Sequence, residues 1–196
     1  MAALVLGAYY AWLLWGTGIG TAHAQTQLRT QLTHEIEERP APPPVDPASP
    51  APPQPADTVA ITPPKLGAPM AIIKIPRIHL DMVVVNGATT ETLKLGPGHY
   101  LGTAYPWEAK GAVGIAGHRT TYLHPFWSLD ALRHGDLIRL VTPHGTFDYR
   151  VTRTITIVPS QNWVLRQTQA PTLVLTTCTP RFSASHRLVV FADRQP

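Results

Sequence analysis

Cys178 is the only cysteine in a chain of 196 residues. A disulfide within the chain and a multi-cysteine zinc site are therefore excluded. A thiol acts as a nucleophile when it has an acid–base partner and surroundings that favour the thiolate. Two other side chains have the right type and the right place in the pattern. His118 closes the run Ala112-Val-Gly-Ile-Ala-Gly117, and Arg187 opens the run Leu188-Val-Val-Phe-Ala192, nine positions after Cys178.

Strand alternation sorts these residues by face. Ala112, Gly114, Ala116 and His118 share one side of their strand, while Val113 and Ile115 point to the other, the core side. A face of Ala and Gly ending in His resembles the floor of a groove that admits an extended peptide. In the next candidate strand Leu173, Leu175 and Thr177 point one way, and Thr172, Val174, Thr176 and Cys178 the other. Arg187 is opposite in parity to Leu188 and Val190. Each candidate thus sits at a strand end on its less apolar side. Taken singly, each has an ordinary reading: a surface histidine, a buried thiol, an exposed edge charge. Their shared placement is what favours a site.

The elements that must hold them begin at about Met70. Runs rich in β-branched residues cover 70–78, 81–85, 113–117, 137–141, 147–158, 172–177 and 187–192, with turn signals at Gly135-Asp136 and Pro143-His144-Gly145. Helical pieces are few: Thr90 to Lys94, Phe126 to Arg133, and a turn near Val164. Seven or eight short strands in this stretch point to an all-β sandwich or closed barrel.

The N-terminal third is different. Met1 to Gly20 carries no charged side chain, close to the roughly 20 apolar residues that cross a bilayer. Ala22-His23-Ala24 resembles a signal-peptide cleavage site, but the run exceeds the usual 7–15 residue core of such signals, which favours a retained anchor. Either outcome exports the remainder. Leu28, Leu32 and Ile36 form a narrow helical stripe that extends the anchor as a stub. Between Pro40 and Pro69 lie 12 of the 21 prolines, a semi-rigid spacer. The expected organisation is an anchor or signal segment over 1–24, a stub and Pro/Ala-rich linker over 25–69, and the folded domain over 70–196.

The formal net charge is +4. Residues from 70 onward carry 13 Lys and Arg against 7 Asp and Glu, and those before it carry 3 against 5. The charges are scattered rather than striped, so a nucleic-acid partner is not expected. A mild attraction to an anionic cell surface is compatible with the balance.

Gly117-His118-Arg119, Leu175-Thr176-Thr177-Cys178 and Arg187-Leu188-Val189-Val190 resemble the three signature segments of the sortases, membrane-anchored cysteine transpeptidases. Gly117-His-Arg-Thr-Thr-Tyr122, Pro125-Phe126, Gly135-Asp136 and Thr177-Cys-Thr-Pro-Arg-Phe-Ser-Ala184 are most similar to the class E type of actinobacteria. Val174, where the cysteine motif often begins with Thr, and His124, where class E often has a small residue, depart from the pattern.

The resemblance implies an eight-stranded antiparallel barrel with short helices, preceded by a transmembrane helix and a Pro-rich linker. It implies His118, Cys178 and Arg187 as catalytic residues, with Ala116 and Thr177 lining the substrate groove. Cys178 would attack the Thr–Gly bond of an LPXTG-like or LAXTG-like sorting signal. His118 would protonate the leaving amine, and Arg187 would bind the substrate or oxyanion. Implied partners are sorting-signal-bearing surface proteins and an amine from a peptidoglycan precursor or a pilin. The implied location is the cell membrane, single-pass, with the domain on the extracellular side. No cofactor is expected, and dispersed acidic residues do not support a calcium site. Two alternatives stand beside it: another Cys/His hydrolase or L,D-transpeptidase, and a non-catalytic tethered barrel with an inert thiol.

Overall fold

The computed structural model describes residues 1, 4, 5, 7, 16–38 and 61–196. Eight strands occur in the folded domain: β1 (Pro69–Ile75), β2 (Leu80–Asn86), β3 (Gly98–His99), β4 (Ala112–Ala116), β5 (Leu137–Thr142), β6 (Gly145–Ile157), β7 (Thr172–Thr179) and β8 (His186–Arg194). They close into a barrel in the order β1-β2-β3-β4-β7-β8-β6-β5. Two seams, β2–β3 and β4–β7, are parallel, so the expected all-antiparallel barrel is corrected to a mixed one. The β4–β7 seam follows from connectivity. A parallel neighbour needs a long crossover, and here the chain makes the β5–β6 hairpin before returning to lie beside β4.

Alternation fills the interior. Ala71, Ile73 and Ile75 of β1 meet Met82 and Val84 of β2, Val113 and Ile115 of β4, Leu173 and Leu175 of β7, and Leu188 and Val190 of β8 in one core. The outward faces of some strands are apolar too, and each has its own cover. A 3₁₀ turn at Asn162–Leu165 lays Val164 over Ala112, Val174, Ile157 and Val189.

The other cover is helix α1 (Thr17–Glu37). Leu32 is fully buried against Ile72 and Val83, with Leu28 and Ile36 beside it. The helical stripe read from the sequence is therefore a docking face. Gln25 strengthens the dock by bonding an open strand edge: its Nε2 donates to Val83 O (3.0 Å) and Leu95 O (2.8 Å), and Val83 N donates to its Oε1 (2.7 Å). Among the described residues, α1 is therefore part of the folded body rather than standing apart from it.

Among the described residues no helix is long and apolar enough to cross a membrane. The expected anchor falls mainly on residues 2, 3, 6 and 8–15, which lie outside the described residues, as does most of the Pro-rich stretch. A second short helix, α2 (Thr90–Leu93), starts at the expected residue with a reciprocal cap between Thr89 and Thr92.

Candidate active site

β4 and β7 lie in parallel register from Ala112↔Thr172 to Ala116↔Thr176. The pairing continues one step further, with Gly117 N donating to Thr176 O (3.1 Å) and Thr177 Oγ1 to Gly117 O (2.8 Å). His118 follows one residue beyond Gly117, and Cys178 one residue beyond Thr177, so both stand just past the last bonds of this seam. On the far side of β7, Cys178 pairs with Arg187 of β8. Cys178 thus sits on the strand between the one that leads to His118 and the one that carries Arg187. Cys178 is free and partly exposed, and Arg187 is partly exposed as well.

His118 is half-buried, and its ring packs on Tyr122 with centroids 4.8 Å apart. Its Nε2 is buried without a hydrogen-bond partner among the described residues. Loss of water pushes its pKa below the ordinary 6.5, because burial disfavours the imidazolium. The backbone at His118 is held from behind. Phe126 N donates to His118 O (3.1 Å), and the Phe126 ring lies against Gly117, where an added Cβ would sit 2.6 Å from it. Only glycine permits that approach.

Arg187 Nη1 donates to Ala184 O (2.9 Å) and His186 O (3.0 Å), so the guanidinium also braces the β7–β8 loop. Arg119, which enters above only as part of a motif, is more deeply placed. It is 5% exposed, donates from Nη1 to Thr179 Oγ1 (2.9 Å) and Cys178 O (3.4 Å), and pairs with Asp130 at 2.8 Å. Following His118, it has the opposite parity and points under the strand ends, tying the His118 strand to the Cys178 strand. Asp130 also meets Arg181 of the β7–β8 loop at 3.5 Å. The available signal was Arg119 itself, a charge three residues past a buried strand.

Two expectations for the groove change. Thr177 is 2% exposed, and its hydroxyl is spent on Gly117 O, so its side chain latches β7 to the end of β4 rather than lining a groove. Ala116 is on the expected face but only 7% exposed. The small side chains of this face leave room that other residues fill: around Gly114, Tyr100, Thr103 and Leu165 lie within 3.3 Å of where a Cβ would be. Tyr100 Oη also bonds Thr176 Oγ1 at 2.8 Å. The floor is therefore roofed along Ala112–Ala116.

The closed barrel thus carries Cys178 near the end of β7, between β4 and β8. Comparison with known proteins gives the family. Residues 73–195 match the sortase domain family. Sortase D of Bacillus subtilis (strain 168) is 32% identical over 136 residues, covering 67% of this chain and 66% of that protein. Sortase SrtE1 of Streptomyces coelicolor is 31% identical over 140 residues, covering 64% of this chain and 40% of that protein. The chain thus spans just under two thirds of the first relative and less than half of the second. Among solved structures, a Clostridium perfringens sortase D5 transpeptidase superposes with a TM-score of 0.63 at 33% identity, covering 67% of this chain and 82% of that one. The Streptomyces coelicolor sortase E1 with a tripeptide in its active site also gives 0.63, at 28% identity, covering 66% and 90%. The chain belongs to the sortase family.

Proposed function

We propose that this protein is a membrane-anchored cysteine transpeptidase that cleaves an LPXTG-like or LAXTG-like sorting signal between Thr and Gly and joins the new carboxyl end to an amine. The Cys178 sulfur attacks the threonine carbonyl, and the resulting oxyanion is met by Arg187. A guanidinium carries five N–H donors, and the loop carbonyls engage only Nη1. The C–N bond then breaks, and His118 as imidazolium gives its proton to the leaving glycine amine. A thioester on Cys178 remains. An amine from a peptidoglycan precursor or a pilin attacks it, His118 takes the proton back, and the sulfur leaves. His118 suits this exchange because burial makes its charged form the stronger acid.

The observation that supports the reading is the strand order, in which β7 with Cys178 pairs with β4, just ahead of His118, on one side and with β8, at Arg187, on the other. Anchoring by the uncharged N-terminal run is supported by its composition alone. With α1 docked from Thr17, such an anchor would seat the barrel close to the outer membrane face.

The test is cleavage of a quenched sorting-signal peptide, with and without added amine. Cys178→Ala and His118→Ala are expected to abolish turnover, and Arg187→Ala to lower it about 10²–10³-fold, as for loss of an oxyanion donor. Cleavage by Cys178→Ala at the parent rate would remove the nucleophile and the proposal with it.

A further inference from the structure

Helix α1 lies outside the residues that match the sortase family, yet its first turn touches the loop that carries His118. Tyr122 N donates to Thr17 Oγ1 at 3.2 Å. Gly18 lies against the next side chain, since a Cβ there would be 3.1 Å from Leu123 Cδ2. The loop is an unusual one: Tyr122, Leu123 and His124 follow one another with φ of 52°, 60° and 36°. Side-chain-bearing residues rarely take this left-handed conformation singly, and a run of three persists only where its surroundings over-determine it. Behind the run, His124 N donates to Thr121 O (2.8 Å) and Phe126 N to His118 O (3.1 Å). In front of it stands α1. The Tyr122 ring then lies on the imidazole, centroids 4.8 Å apart.

The contact is local. A cavity of about 650 Å³ opens between the helix and Asp81, Met82 and Leu123. Holding of the helix elsewhere comes from separate points: Thr21 Oγ1 donating to Lys94 O at 2.8 Å, the Gln25 bonds, and Leu32. The Thr17–Gly18 end can therefore be altered without undoing the dock.

We propose that Thr17 and Gly18 are positioning residues for His118: the first turn of α1 fixes the left-handed run 122–124, and that run holds Tyr122 against the imidazole. This rests on His118 being the acid of the proposed reaction. It gives the N-terminal helix a part in catalysis as well as in stability.

The test uses the full chain. Thr17→Val removes the acceptor at nearly constant shape, Gly18→Leu drives Leu123 away, and Thr17→Ser keeps the acceptor. For the peptide reaction, Thr17→Val and Gly18→Leu are each expected to lower kcat about 10-fold with KM within about twofold. Both should also move the His118 imidazole resonance in NMR spectra, while Thr17→Ser matches the parent in both. If Gly18→Leu does not fold, Thr17→Val decides alone. Unchanged kcat and an unmoved resonance in Thr17→Val, or a lower melting temperature as the sole effect, would overturn the proposal. Cys178→Ala run in parallel separates the two readings. Its retained turnover would defeat the catalytic assignment, whereas the resonance still reports on the positioning.

Discussion

At the scale of single residues, the site is organised by what His118 lacks. Its Nε2 is buried and has no hydrogen-bond partner among the described residues, and burial disfavours the charged ring. In a Cys178→Ala background, where the sulfur cannot contribute, an NMR titration is predicted to place the His118 midpoint below 6.5. A midpoint at or above that value would mean that water or an anion reaches the ring. Arg119 is a more deeply buried cation with partners for Nη1 and Nη2. Arg119→Met removes bonds to Thr179 and Asp130. It is predicted to cost about 2 kcal/mol in denaturant unfolding and to lower kcat, because the two strand ends lose their tie. Equal stability and turnover would show that Thr177 and the seam suffice. The candidates Cys178, His118 and Arg187 could be picked out in the sequence because strand parity is local. Arg119 was not, because its partners Asp130 and Thr179 meet it only after β4 and β7 close.

At the scale of elements, both outer covers protect strands that are apolar on two faces. Leu32 is fully buried between Ile72 and Val83, so Leu32→Ala is predicted to lower stability by about 2–4 kcal/mol. Thermal or denaturant unfolding measures it. A loss under about 0.5 kcal/mol would mean that α1 does not pack on the barrel in solution. The strands, the Thr90 helix and the turn near Val164 could be read from periodicity and caps. Two features could not. β3 is only two residues long, too short for any pattern. The stripe Leu28–Leu32–Ile36 shows a face but not its target, and the apolar outer residues Ile72 and Val83 were the overlooked sign that something covers them.

For the molecule as a whole, buried His99 and half-buried His118 contribute to the pH response. His99 is fully buried and bonded through its ring nitrogens to Asn86 Oδ1 (3.1 Å) and Ala104 O (3.0 Å). Burial lowers its pKa, as it does for His118. The unfolded chain therefore takes up protons that the folded one refuses as pH falls below about 6.5. Their contribution is fully present above that value and is lost on acidification toward the folded pKa. Asp148, whose pKa is lowered by its bond to Arg139, acts in a different window: its contribution is lost only as pH falls below 3.8. Urea unfolding is predicted to show stability level above pH 7 and falling from pH 6.5 to 5, with a shallower fall in His99→Gln. Stability that rises toward pH 5 would contradict this.

Intact-protein mass spectrometry after a short, acid-quenched reaction with a sorting-signal peptide addresses the chemistry most directly. The account predicts a covalent adduct equal to the peptide truncated after its threonine, attached to Cys178 and discharged by added amine. A peptide cleaved with no adduct on the sulfur, or an adduct that persists in Cys178→Ala, would contradict it.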